Sequence, residues 1–413
     1  MGGGPAGLIG AIAAVERGAK AIVCEQLDRP GAKLLATGGG RCNLTNTLDP
    51  EPFMARFGRQ GRFMAPALDA MDSTGLREFF KQLAVPTVVE PDGFLVYPAT
   101  HTAVSVQSAL WRRCRDLHID VRLATRVTGL DIQPGDLGRE KQHLVGVTTE
   151  AGPIAGDAVL LTTGGCGYRE LGGGDSGYVL ARQAGHSIIP PTPALVPLRT
   201  AERWCSRCAG DALSNARVRI DLPRQPKEGI VGEVMVTHRG LSGPAVLDIS
   251  GDVGDLLRKH SAVPLRLNLR AERSAADWLA LFDAWRRQDG AKMLRTVLSR
   301  ELPSRLAEVL IDLAGLPFDA KCAQVASDGR NELVRLLTDL PVSIADTEGF
   351  DRAMVTRGGV RLAEVDPATL QSRVQPALYL AGEVLDLAGP SGGFNLQWAF
   401  SSGHLAGTSA AGT

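Results

Sequence analysis

Three glycines at the head of the chain, Gly2, Gly4 and Gly7 in MGGGPAGLIG, stand at the spacing G-x-G-x-x-G. In that pattern the first glycine permits a tight turn, the second lets backbone approach a pyrophosphate, and the third lets the next helix pack closely. Pro5 and Ala6 finish the loop and begin that helix, so both count among the residues that would touch the phosphates. Glu25 follows 18 residues beyond Gly7, near the ~20-residue interval at which a carboxylate accepts hydrogen bonds from the adenosine ribose. Loop, helix, strand and acid together imply dinucleotide binding.

Further groups carry chemistry elsewhere. In TGGGRCN, Gly38, Gly39 and Gly40 allow close backbone approach, and Arg41, Cys42 and Asn43 follow with a cation, a thiol and an amide. Arg41 is suited to countering phosphate charge. Lys33 precedes this block, and Thr163 and Gly164 end the apolar run DAVLLTTGG. Near the far end, Gly382 and Glu383 close the apolar run ALYLAGE, and Gly392, Gly393 and Asn395 precede a small-residue helix from Leu396 to Leu405. The positive end of such a helix stabilises developing negative charge. His238 and Arg239, after GEVMVT, and Arg357, before Gly358 and Gly359, are the candidates for acting on a substrate. An imidazole with an ordinary pKa near ~6.5 is suited to moving a proton; the competing expectation for a lone histidine is a structural hydrogen bond.

Two motifs are expected to be decoys. Gly172, Gly174 and Gly177 repeat G-x-G-x-x-G, yet the preceding apolar run ends ten residues too early and no acid stands near position 195. Cys205 and Cys208 have the spacing of a redox pair or half a zinc site. They lack a preceding apolar strand and further ligands at matching spacing, so a structural role is expected and no metal is assigned. No second cysteine lies between 43 and 113, which argues against a thiol relay through Cys42.

These residues need elements to position them. Ala6 to Arg17 reads as a helix ended by Gly18, leading into the short strand Ala21 to Cys24. Residues 119–162 read as β-rich. The prolines at 190, 191, 193 and 197 read as a stiff exit from a first domain, with a boundary near 190. From 191 to 350 the pattern changes to strands such as ARVRIDL and VPLRLNL. Among them are helices whose apolar stripes are Trp278, Leu279, Phe282, Trp285 and then Leu306, Val309, Leu310, Leu313, with Ser274 and Asp277 as a capping box. Residues 351–413 return to the first pattern, so the middle reads as an insertion.

Composition narrows the class. The chain has 413 residues, with 45 basic and 45 acidic side chains, so no global positive field points to nucleic acid as a partner. Seven cysteines, an odd number, in a chain without a secretory signal point to a reducing, cytoplasmic setting. No apolar run reaches the ~18 residues of a membrane span. The partner expected is a small-molecule substrate, and oligomeric state is not legible.

The blocks GGGPAG, GAKLLATGGGRCNLTN, THRGLSGPAVLDIS, AMVTRGGV and LYLAGEVLDLAGPSGGFNLQWAFSSG span nearly the whole chain. They resemble the FAD-dependent oxidoreductase family that includes aminoacetone oxidase-like and bile-acid-reductase-like flavoproteins. The resemblance implies an α/β fold: a Rossmann-like, glutathione-reductase-type FAD domain (residues 1–190 and 351–413), interrupted by an insert of small β-barrel and helical part (191–350, helices about 272–340). It places the 38–43 block near the pyrophosphate and ring, and Glu383 on the ribityl hydroxyls. It also implies a first strand before Gly2 that is missing here, from which a native start upstream of Met1 is expected. The activity implied is hydride transfer between flavin and an amine or conjugated carbonyl compound, the flavin being reset by oxygen or by transiently bound NADH or NADPH. A flavin-dependent tRNA-modifying enzyme and a non-catalytic flavoprotein-like module are the alternatives.

Overall fold

The structure, a computed structural model, describes residues 1–133 and 143–412. The chain divides into two compact units, Met1–Thr192 with Met354–Thr413, and Pro193–Ala353.

The first unit is built on short, buried, parallel strands. Ile22–Cys24 pairs with Asp120–Arg122, and Val159–Leu161 pairs with Leu378–Leu380. Residues 1 and 2 run between the two pairs. The Met1 amine donates to the Leu160 carbonyl at 2.7 Å, the Thr162 N–H donates to the Met1 carbonyl at 3.0 Å, and the Gly2 N–H donates to the Cys24 carbonyl at 2.8 Å. Two residues thus supply backbone partners to strands on both sides, as buried strand edges require.

The helix Pro5–Glu16 is apolar on nearly every side and is correspondingly buried, with Leu8, Ile9 and Ile12 in the core. It lies along the helix Phe394–Ala410. Small residues make the approach close: a Cβ at Gly403 would fall 2.3 Å from the Ala6 carbonyl oxygen, and one at Gly407 would fall 2.0 Å from that of Gly10. The first and last helices of the chain are therefore packed backbone to backbone. An antiparallel meander, Val127–Gln133, His143–Thr149 and Gly152–Ala155, fills the β-rich stretch.

The first unit ends at Thr192, among the prolines expected to mark its exit, and these prolines also lie in a strand. Ile188–Ala194 is a strand paired with Val355–Val360 in a two-stranded sheet. Prolines are tolerated there because Ile188–Ala194 is paired along one edge only.

The second unit is a closed six-stranded barrel with helices. Its strand Val263–Asn268 alternates buried Val263, Leu265 and Leu267 with half-buried neighbours, as a strand with one face inward must. The helix Ala275–Gln288 starts with the full Ser274 and Asp277 capping box and buries Trp278, Phe282 and Trp285. Leu306, Val309 and Leu310 of the helix Ser304–Leu313 are buried, while Leu313 is turned to solvent. Cys205 and Cys208 lie in the 3-10 turn Trp204–Cys208, both buried and free. Burial pushes their thiols up to about 11 and about 12, which suits packing and not redox exchange.

Candidate functional site: a dinucleotide cradle

The three glycines of the first loop divide the work by geometry. Gly2 has φ 95°, and a Cβ on it would meet the Thr162 carbonyl oxygen at 2.5 Å. Gly7 lies so close to the turn that its Cβ would fall 1.9 Å from the Gly2 carbonyl oxygen. A Cβ on Gly4 would meet nothing within 4 Å. Gly2 and Gly7 close the turn, and Gly4 leaves open space in front of it. No side chain caps the helix that starts here with Pro5 and Ala6, so its first amides and its positive end are free for an anion. Behind the loop, the buried Glu25 accepts the Gly3 N–H at 2.7 Å and the Leu27 N–H at 2.9 Å, one bond to each oxygen. Each oxygen keeps a lone pair for a ribose hydroxyl.

The returning segment meets this loop. A Cβ on Gly382, at φ 76°, would lie 3.1 Å from the Ala6 Cβ. Its neighbour Glu383 accepts from Lys33 Nζ at 2.7 Å and from the Thr356 N–H at 2.9 Å. Thr356, which sequence reasoning missed, also accepts the Cys166 N–H at 2.9 Å through its hydroxyl, tying the strand Val355–Val360 to the loop after Thr163 and Gly164. The only signal for it was its position beside Arg357. In this neighbourhood two hydroxyls, Thr163 Oγ1 and Tyr178 Oη, are buried with no hydrogen-bond partner. Burial raises the Tyr178 phenol above its usual range.

The 37–46 block faces the 389–395 block. Gly38 and Gly39 are left-handed, at φ 57° and 65°, and a Cβ on Gly39 would meet nothing within 4 Å. Gly40, at φ 88°, has only the Leu35 carbonyl oxygen near, at 3.9 Å. The neighbouring side chains are differently engaged than their types suggest. Arg41 pairs with Glu90 at 3.4 Å, donates to the Tyr97 hydroxyl at 3.2 Å and stacks on that ring, so its charge is already answered within the protein. The Cys42 thiol is fully buried in the core and pushed up to about 12 by burial; only its backbone is left to meet a ligand. The Asn43 amide, oriented to satisfy both ends, accepts the Gly393 N–H at 3.1 Å and donates to the Thr45 carbonyl at 2.9 Å. Asn395 donates to the Gly389 carbonyl at 2.9 Å and accepts that residue's N–H. Both asparagines are fasteners of the turn around Gly392 and Gly393. That turn leads into the helix Phe394–Ala410, which no side chain caps. A Cβ on Gly393 would strike the Thr45 carbonyl at 2.5 Å, so only glycine lets the two blocks meet.

The substrate-side candidates stand in different settings. His238 and Arg239 are exposed in the turn between Ile230–Thr237 and Gly240–Ser242 of the barrel, and Arg239 pairs with Glu348 at 3.3 Å. Arg357, half-buried, belongs to the first unit, on the strand beside Thr356.

An unforeseen constellation lies in the first unit. His186 Nε2 meets the Ser372 hydroxyl at 2.8 Å, and its Nδ1 meets Glu364 at 3.2 Å. The arrangement resembles a hydrolytic triad, but Ser372 Oγ already accepts the Val374 and Gln375 N–H groups at 3.0 and 2.8 Å. Both lone pairs are taken, so the serine is no nucleophile. Its proton goes to Nε2, which places the imidazole proton on Nδ1 facing Glu364. The group is a clasp. Its members are 186 residues apart in sequence, too far for spacing to reveal.

The group this cradle implies is FAD, and the residues fit it. Open space fronts Gly4 and Gly39, two helices start without side-chain caps, and Thr163 Oγ1 lacks a partner beside them.

The sequence matches the HI0933-like protein Rossmann domain over residues 1–409. It is 33% identical over 414 residues to the 3-dehydro-bile acid delta(4,6)-reductase of Clostridium scindens, covering 100% of this chain and 98% of that one. It is 28% identical over 405 residues to the ribosomal RNA dihydrouridine synthase of Escherichia coli, covering 97% and 94%. Among solved structures, 3-ketosteroid delta1-dehydrogenase from Sterolibacterium denitrificans superposes with a TM-score of 0.54 at 10% identity, over 100% of this chain and 98% of that one, a likeness of fold alone. No helix among the described residues is long and apolar enough to cross a membrane. With a family match over almost every residue and a glycine cradle shaped for a dinucleotide, the chain belongs to the HI0933-like Rossmann family of FAD-dependent oxidoreductases.

Proposed function

We propose that the protein reduces a carbon–carbon double bond conjugated to a carbonyl in a small organic substrate, drawing its electrons from a soluble nicotinamide donor. FAD, when bound, would supply the hydride that the β-carbon of the enone takes, with a proton going to the α-carbon. The amides behind Gly4 hold the pyrophosphate, and Glu25 takes an adenosine ribose hydroxyl. Glu383, fixed between Lys33 and Thr356, takes a ribityl hydroxyl. The uncapped start of Phe394–Ala410 steadies negative charge on the reduced ring's pyrimidine edge. That helix start is the observation that carries the redox reading; the whole-length likeness to a delta(4,6)-reductase supports reduction over amine oxidation. Arg357, in the same unit as the cradle, is our candidate for holding the carbonyl; His238 and Arg239 of the barrel are candidates from the sequence alone. All seven cysteines are buried and free, the state a reducing cytoplasm maintains.

The test is direct. Purified protein should be yellow, bleach on anaerobic mixing with NADPH or NADH, and recover its colour when a 3-keto-4-ene steroid is added. Colourless protein that takes up no FAD refutes the reading. A second reading, reduction of the uracil ring in RNA, is favoured by the names of the two dihydrouridine synthases among the relatives. It predicts salt-sensitive retention of ribosomal RNA.

A further inference from the structure

Between Glu51 and Asp69 the chain carries no acid and three arginines, Arg56, Arg59 and Arg62. All three are exposed, and none has a carboxylate within ion-pair distance among the described residues. Their spacing is three, and Gly58–Met64 is a 3-10 helix. With three residues per turn, Arg59 and Arg62 share one face; Arg56 precedes the helix, on the other side of the left-handed Gly58 at φ 64°. Like charges stacked on one ridge repel unless an anion lies across them.

The ridge is fixed beside the cradle. Arg56 lies over the Phe394 ring, 5.7 Å from its centroid, and Gln60 donates to Asp386 at 3.0 Å. Phe57 packs so tightly on Gly389 that a Cβ there would be 2.6 Å from the ring. Phe63 packs edge-on against Trp398. These contacts bind the ridge to the turn and helix start that, on our reading, face the flavin ring.

A nicotinamide donor also needs somewhere to rest its phosphates. The second glycine motif fronts open space at Gly174, as the first does at Gly4, but it lacks the preceding strand and the following acid at the spacing a nicotinamide cradle needs. We propose that Arg56, Arg59 and Arg62 form the docking ridge for the phosphates of NADPH, and that the third arginine serves the 2′-phosphate that NADH lacks. Guanidinium forks match phosphate oxygens in pairs, and a group of them without carboxylate partners suits a small polyanion. The inference rests on the reading of a nicotinamide-driven reductase. In the step it serves, NADPH gives a hydride to flavin N5 and leaves as NADP+, while one solvent proton completes the reduced ring.

The test uses the full chain loaded with FAD and the redox-inert probe 2′,5′-ADP, followed by calorimetry. The wild type should bind it, more weakly as salt rises. Arg59→Gln with Arg62→Gln should weaken binding by roughly tenfold per arginine, as for charge-assisted hydrogen bonds, with flavin content and melting temperature unchanged. Arg59→Lys with Arg62→Lys should restore part of the affinity. NADPH should have a lower KM than NADH for bleaching the flavin, and the double glutamine variant should erase that preference. Unchanged probe affinity in that variant, no probe binding, or equal use of both donors overturns the proposal. So does an RNA oligomer that binds the ridge while the probe does not. If probe and NADPH use the ridge but no enone is reduced, the reading of the reaction fails and the ridge stands.

Discussion

The clasp of His186, Glu364 and Ser372 makes a prediction with both a size and a sign. In His186→Ala, the Ser372 hydroxyl keeps its two incoming amide bonds and loses the acceptor for its own proton. Glu364 keeps the Ser187 N–H at 2.8 Å and loses the imidazole. A buried donor left unsatisfied costs about 1–3 kcal/mol, and the void left by the ring adds to it, so a loss of about 2–4 kcal/mol is expected. At about 2–4 °C per kcal/mol for a unit of this size, the melting midpoint should fall by roughly 4–16 °C at pH 7.5. The dependence on pH follows from the same bonds. Burial lowers the His186 pKa by penalising the charged ring, against the opposing pull of Glu364. The folded state therefore binds fewer protons than the unfolded state once pH drops below about 6.5. The stability due to His186 is complete above that value and is lost as pH falls through it toward the depressed folded pKa. The alanine variant has no such site, so the gap between wild type and variant should narrow from pH 7.5 to pH 5. Glu364, also held below its usual range, stays charged over that interval. Scanning calorimetry at four pH values, with hydrogen exchange at Ser187, Val374 and Gln375, is the assay. A gap that stays constant or widens on acidification would falsify the assigned tautomer.

Other substitutions probe the cradle. Gly4→Val projects into open space, so the FAD-free protein should melt within about 1 °C of wild type while flavin occupancy after purification falls at least tenfold. Gly7→Ala places its methyl against the Gly2 carbonyl and should lower both stability and occupancy, by about 2 kcal/mol or more in urea titration. Glu25→Ala strands the Gly3 and Leu27 N–H groups and should raise the FAD dissociation constant by roughly tenfold or more; undiminished retention removes Glu25 from the ribose site. The thiol of Cys42, buried and pushed up to about 12, should resist iodoacetamide in the native protein at pH 8, as should Cys205 and Cys208. Rapid labelling of any of the three, read by mass spectrometry, contradicts the burial.

The cradle was legible because its requirements are local. Gly2, Gly4 and Gly7 carry their roles in their spacing, and the capping box of Ser274 and Asp277 lies within four residues. Side-chain roles in the TGGGRCN block were harder to read. Arg41 and Cys42 announce a cation and a nucleophile, but Glu90 and Tyr97, about 50 residues on, claim the one, and the core claims the other. Thr356 and the His186 clasp depend on contacts between segments nearly 190 residues apart, for which single-sequence periodicity has no term. The strand Ile188–Ala194, within which the first unit ends at Thr192, was not legible because a lost amide donor argues against a strand unless its edge is free, and edges are decided by tertiary pairing.

The close packing of Pro5–Glu16 on Phe394–Ala410 sets an order of events during synthesis. The phosphate loop is made long before the turn that meets Ala6 and the helix that buries its far side. A nascent chain released only as far as the barrel would expose Leu8, Ile9 and Ile12 without their cover. The cradle is therefore complete only once the C-terminal helix has been made, and until then its apolar leading helix lacks its cover.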